Sequence, residues 1–216
     1  MKYTPVAAEE FATLEGLDDW RVICNAIHAD FRAGSFPAAA SFASAVALAG
    51  EARDHHPDID IRYPDRVRVV FTTHATGGLT TLDVELAREI STIASRSGHA
   101  SQRSAAQVLE IAIDTTDANR IRPFWAAILG YRDVDGLLLD PLRIGPPVWF
   151  QQMDAPRNER ARFHIDISVA HDVADARISA ALAAGGTLVT DRFARSWWVM
   201  ADADGNEACI STWQDR

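Results

Sequence analysis

The second half of this chain repeats itself. Residues 110–130 read EIAIDTTDANRIRPFWAAILG, and residues 164–186 read HIDISVAHDVADARISAALAAGG. Each copy is a strand-like run, an acidic turn, a helix-like run and a glycine stop. Glu110 and His164 occupy the same place in the two copies, 54 residues apart. Strand-like segments follow each copy, Leu137 to Met153 in one and Thr187 to Thr212 in the other. A repeated supersecondary unit gains its core by meeting its neighbour, so the pattern predicts a duplicated βαβββ domain. It uses about half of the 216 residues and leaves the rest to fold separately, within the ~100–200 residues usual per domain.

The boundary is marked by composition. Ser95 to Gln107 reads SRSGHASQRSAAQ, small, polar and poor in large apolar residues, which is linker composition. The expected division is therefore a first domain over 1–97, a linker over 98–107 and a second domain over 108–216. Before Gly98 there are 14 acidic and 9 basic residues, and from Gly98 onward 16 and 12, so neither part is a charged tail. The net charge of −9 argues against nucleic acid as the main partner, since phosphate binding needs a basic surface. The most apolar run, Ala38 to Ala49, contains two serines and falls short of the ~18 residues of a membrane helix. No secretory signal is expected from Met1 to Glu10, and Cys24 and Cys209 are too few for a disulfide framework. A cytoplasmic protein is the resulting expectation.

In the first part, Trp20 to Phe31 reads as one or two short strands. Ser35 offers an N-cap with Pro37 behind it, and Phe36, Ala39, Phe42, Ala43, Val46 and Ala49 recur at helical spacing. This helix should run to about Arg53, with Gly50 weakening its last turn. Ile59, Ile61 and Tyr63 alternate with Asp58, Asp60 and Arg62, and Val67, Val69 and Phe71 with Arg66, Arg68 and Val70, which signals two strands. Leu79, Leu82, Leu86, Ile90 and Ile93 mark a second helix, with Thr80 and Asp83 at capping-box spacing. Strands and helices in this order predict an α+β fold, an antiparallel sheet with helices on one face.

Three of the seven histidines, His55, His56 and His74, lie within 20 residues. Glu51 precedes His55 by four, so a helix continuing that far would let the two side chains touch. His74 shares the even register of Arg66, Arg68 and Thr72, and so faces away from the Val67 stripe. A plain alternative is that the His-His pair caps a helix end and complements its dipole. A metal site is another, although neither cysteine has ligand spacing to these histidines.

Glu51-x3-His55-His56-Pro57, followed by Tyr63, His74 and Asp83, resembles the signature of the pterin-4a-carbinolamine dehydratases. Trp20, Phe31 and Phe42 sit where that family keeps aromatics, and Thr73 to Ala87 (THATGGLTTLDVELA) resembles its second histidine, glycine turn and last helix. The likeness covers nearly all of residues 10–95, with Ala75 a modest departure. It implies a hydro-lyase that converts a 4a-hydroxytetrahydropterin, such as that of tetrahydrobiopterin, to the quinonoid dihydropterin without metal or organic cofactor. It places His55, His56 and His74 in the catalytic cleft, favours His56 and His74 for proton transfer, and gives Glu51 and Asp83 the task of orienting imidazoles. Which histidine is acid and which base stays open. It also implies a homo-oligomer, dimer or tetramer. Some family members serve as dimerisation partners of transcription factors, so a non-catalytic, regulatory role is the alternative.

FWAAILGY (124–131), WFQQM (149–153), FHIDISV (163–169) and DADGNEACI (202–210) make the second part similar to glyoxalase-like domains of the vicinal oxygen chelate superfamily. Metal-dependent members carry ligands on the first and last strands of each half. Those places hold Glu110, a residue near Gln151, His164 and Cys209, a set chemically able to bind a divalent metal. The favoured reading is a small-molecule-binding module without metal, and a metal-dependent lyase or dioxygenase is the rival. Trp149, Trp197 and Trp198 either line a pocket or fill the core.

Overall fold

The computed structural model describes residues 3–129, 131–155, 163–183, 186–201 and 207–216, with the side chains of 123–125, 127–129 and Phe163 outside that description. Part of the FWAAILGY string and residues 202–206 of DADGNEACI therefore lie outside the described residues. The chain divides into two compact units, Met1–Ala106 and Gln107–Arg216.

The first unit runs α1 (Ala8–Phe11), β1 (Arg21–Ile23), β2 (Ala26–Arg32), α2 (Phe36–Glu51), β3 (Asp58–Arg62), β4 (Arg66–Phe71), α3 (Thr81–Arg96) and β5 (Ala100–Ser101). Its sheet is antiparallel in the order β1-β2-β4-β3, with β5 also on β2. Alternation buries Val67, Val69 and Phe71 on one face, opposite Phe31, Ala29 and Ile27 of β2. Both helices cover that face. Phe42 of α2 meets Phe31 edge to face at 5.2 Å. Trp20 stands 5.1 Å from Phe71 and donates its indole N–H to the Ala87 carbonyl of α3 at 3.1 Å. Each fully buried side chain here, such as Phe31 or Val67, contributes roughly 1.5–3 kcal/mol.

Several local expectations are corrected. The helix α2 begins as predicted, with Ser35 Oγ accepting from the Ala38 amide, but Phe36 is exposed and the helix stops at Glu51. The chain reverses at Asp54, whose φ is 51°, and the His55 amide returns to the Gly50 carbonyl at 3.0 Å. A Cβ on Gly50 would stand 2.8 Å from Pro57 Cδ and 2.9 Å from the His55 oxygen, so glycine there admits the returning chain. Strand β3 ends at Arg62, and Tyr63 beyond it is exposed. Leu79 precedes α3, whose capping box of Thr80 and Asp83 forms as predicted. Within 98–107, read as a linker from its small polar residues, β5 pairs with β2 and the Ala105 carbonyl accepts from Arg68. Backbone pairing of this kind leaves no trace in composition.

The second unit runs β6 (Gln107–Thr115), α4 (Ala118–Leu129), β7 (Arg132–Val134), β8 (Leu137–Leu139), β9 (Val148–Gln152), then β10 (Phe163–Val169), α5 (Ala174–Ala183), β11 (Thr187–Thr190), β12 (Trp197–Ala201) and β13 (Glu207–Ser211). Its eight-stranded sheet has the order β11-β12-β13-β10-β6-β9-β8-β7, two βαβββ halves joined through β6 and β10. The join is antiparallel, and its register pairs Glu110 with Asp166 and Ala112 with His164. Those two pairs are repeat-mates, so a pseudo-twofold axis passes between them. One sheet face carries separate apolar clusters, Ile113, Leu138 and Val148 with Ile121 of α4, and Val169, Met200 and Ile210 with Ile178 of α5. Trp198 packs into the latter cluster. The other face carries the polar Glu110, Asp114, His164 and Asp166 beside Trp149, Trp197 and Val199. Among the described residues, no helix is long and apolar enough to cross a membrane.

Candidate functional site

Asp83 organises the first unit's histidines. It sits in the first turn of α3 and is fully buried. A buried carboxylate is costly unless paired and hydrogen-bonded, and both of its oxygens are. Oδ2 accepts from the Thr80 amide and from Thr73 Oγ1, each at 2.7 Å, and Oδ1 lies 2.9 Å from His55 Nε2. Toward this carboxylate His55 presents an Nε2 proton. His55 is itself buried, edge to face with Phe71 at 5.5 Å. The structure thus makes His55 an internal partner of Asp83, not of Glu51.

Glu51 pairs instead with His56, Oε2 to Nε2 at 2.9 Å, and both side chains are exposed. The predicted Glu51–His55 contact fails because the helix stops and the chain folds back over Gly50. His74 lies beyond the end of β4, so strand alternation does not reach it. It occupies a turn closed by the Thr73 amide on the Gly78 carbonyl at 3.3 Å and by the Gly77 amide on the Thr73 carbonyl at 3.1 Å. Gly77 has φ 66°, the left-handed region that glycine enters without strain. His74 is exposed. The two exposed histidines, His56 and His74, therefore each follow a residue, His55 or Thr73, that the Asp83 carboxylate holds. Thr73 escaped sequence reasoning, because nothing in its spacing announces a bond to a capping acid ten residues on.

In the second unit a cavity of about 810 Å³ opens on the sheet face bearing Glu110 and Asp166. Trp149 and Trp197 line it, with Glu110, Asp114, His164, Asp166 and Cys209. Two sequence-predicted residues, Glu110 and Gln151, line the cavity but are engaged elsewhere. Glu110 Oε2 accepts from Ser168 Oγ at 2.6 Å, and the exposed Gln151 amide donates to the Gln152 carbonyl at 3.3 Å. The ring nitrogens of His164 lie 3.4 Å from Asp114 Oδ1 and 3.6 Å from Asp166 Oδ1. Burial raises the pKa of the Asp166 carboxyl, Cys209 and His164 pull it back, and Glu110 adds to the rise. Burial, then the Asp166 charge and hydrogen bond, push the Cys209 thiol well up. Asp114 and Asp166 were not expected at this site. The signal for Asp166 was present, since His164, Asp166 and Ser168 alternate with Ile165, Ile167 and Val169.

Residues 4–93 match the family model described as Pterin 4 alpha carbinolamine dehydratase, and residues 110–211 match the one described as Glyoxalase-like domain. A Chloroflexus aurantiacus protein named "Putative pterin-4-alpha-carbinolamine dehydratase" is 52% identical over 75 residues, which are 35% of this chain and 80% of that one. A like-named Nocardia farcinica protein is 45% identical over 87 residues, 40% of this chain and 90% of that one. The solved structure of a transcriptional coactivator/pterin dehydratase from Brucella melitensis is 32% identical and covers 42% of this chain and 99% of its own, with a TM-score of 0.38.

Proposed function

Through residues 4–93 the chain belongs to the pterin-4a-carbinolamine dehydratase family, and from that membership we propose that it dehydrates a 4a-hydroxytetrahydropterin to the quinonoid dihydropterin. In this reaction the bond from C4a to the hydroxyl oxygen breaks, a ring nitrogen loses its proton, and its electron pair forms the new C=N bond as water leaves. One group must protonate the departing oxygen and another must take the ring proton. Histidine suits both tasks near neutral pH.

The observation that carries this reading is the double clamp on Asp83, with His56 and His74 each following a residue it holds. His56 and His74 are exposed and act as the proton-transfer pair. Glu51 holds the Nε2 side of His56, which leaves Nδ1 for the substrate. His55 and Asp83 are positioning residues that fix the loops bearing the pair. The proposal includes a homo-oligomeric assembly and a reducing, cytoplasmic setting suited to Cys24 and Cys209, which form no disulfide among the described residues. The second unit, a glyoxalase-like domain, serves as a small-molecule-binding module.

The test is steady-state dehydration of a 4a-carbinolamine pterin. His56→Ala and His74→Ala should each lower kcat by about 10²–10⁴, the usual worth of a general acid or base. Wild-type turnover no faster than the spontaneous reaction contradicts the proposal.

A further inference from the structure

In the second unit the strand order β12-β13-β10-β6-β9 puts Trp197 on one side of the sheet and Trp149 on the other, with three strands between them. Both tryptophans line the cavity. Its lining holds five carboxylates, Glu110, Asp114, Asp154, Asp166 and Glu207, against two guanidinium groups, Arg192 and Arg216. The arginines are exposed, and Arg192 lies over the Phe193 ring at 4.3 Å, whereas Asp114 and Asp166 are buried. Glu110 and Asp166 stand directly opposite each other on the antiparallel strands β6 and β10, a position where like charges are unfavourable. Asp166 is 6% exposed, and although the Cys209 thiol hydrogen-bonds its carboxyl, Oδ1 has no hydrogen-bond partner among the described residues. His164 Nε2 stands 3.6 Å from that oxygen, too far for a hydrogen bond. A buried acceptor left in this state is costly until a donor meets it.

We propose that this cavity takes a protonated amine carried on an aromatic body, the ammonium group donating to Asp166 Oδ1 beside Glu110 and the ring lying against Trp149 or Trp197. The inference rests on the reading of the second unit as a small-molecule-binding module, and it names the class of molecule. The cavity of about 810 Å³ falls within the ~300–1,000 Å³ usual for small-molecule sites. An ammonium group supplies both things the floor of the cavity lacks, N–H donors for Oδ1 and positive charge between two opposed acids. A quaternary ammonium brings the charge without a donor, and an alcohol brings a donor without the charge. Indole faces attract cations and pack against aromatic rings in offset or edge-on contact. A carboxylate-bearing molecule of the same shape meets repulsion from the lining acids, which sets the specificity.

The full chain is titrated by calorimetry with three probes of one shape: phenethylammonium, phenethyl alcohol and hydrocinnamate. One phenethylammonium per chain is expected, bound about 10–100-fold more tightly than the alcohol, the usual worth of a hydrogen bond to a charged group. Hydrocinnamate should bind more weakly than either. Asp166→Asn should erase the preference for amine over alcohol, and Glu110→Gln should reduce it by less, because Glu110 also serves Ser168. Trp197→Ala should weaken amine and alcohol alike. Circular dichroism reports whether each variant folds, and the wild-type comparison of the three probes needs no variant. The proposal is overturned if alcohol or carboxylate binds as tightly as the amine, or if the amine preference survives in folded Asp166→Asn protein. In either case the small-molecule-binding reading stands and only the class of ligand falls. Absence of saturable binding by all three probes contradicts both. The dehydratase assay of the first unit is indifferent to all of these outcomes.

Discussion

Asp83 and Asp166 are both buried carboxylates beside a histidine, one in each unit, and their surroundings differ. Asp83 is closed: His55 sits at 2.9 Å, and Thr73 and Thr80 satisfy the other oxygen. Asp166 is open: His164 stands 3.6 Å away, one oxygen lacks a hydrogen-bond partner among the described residues, and a cavity lies in front. A satisfied buried acid acts as scaffold and fixes what is attached to it. An incompletely satisfied one is costly in the fold.

Breaking the closed pair should have the largest effect. Asp83→Ala leaves His55 buried without its partner and removes the cap of α3, and should cost about 3–5 kcal/mol, read from denaturant midpoints.

His28 is a second closed buried group in the first unit. Burial, and then Arg68, lower its pKa from 6.5 to about 4. Between those values the unfolded chain binds the proton that the fold refuses. Stability should therefore fall as pH drops from about 6.5 to about 4, by up to roughly 3 kcal/mol, and stay lost below. Replacing it in His28→Gln should flatten that slope relative to wild type in acid-denaturation curves.

Gly50→Ala tests the fold-back that delivers His55 to Asp83. A Cβ there meets the His55 oxygen at 2.9 Å, and overpacking of that kind costs about 1–3 kcal/mol, visible as a lowered Tm.

The smallest effect belongs to the open site. Asp166→Asn should change stability by less than about 1 kcal/mol, because the Cys209 hydrogen bond is what it has to lose and burial already disfavours its charge. A loss as large as that for Asp83→Ala would erase the contrast between the two acids.

The sequence carried the α+β order, the repeat and the capping box of Thr80 and Asp83, because those features are local or periodic. Glu51 and His55 misled because four-residue spacing implies contact only while a helix continues, and the reversal at Asp54 ends it. Gln151 was chosen by strand position, whereas Asp166 and Cys209 meet through the β10–β13 register, which connects residues 43 apart and has no local signature. Of Trp149, Trp197 and Trp198, the first two line the cavity while Trp198 packs beneath α5, the difference between Trp197 and Trp198 being made by alternation along β12.

The most direct measurement is the dehydration rate of a 4a-carbinolamine pterin with wild type and with a His56→Ala, His74→Ala double variant whose stability is measured in parallel. Both side chains are exposed, so their loss should shift stability by less than about 0.5 kcal/mol while the enzymatic acceleration disappears. Unchanged turnover in a folded double variant would contradict the assignment of proton transfer to these two histidines.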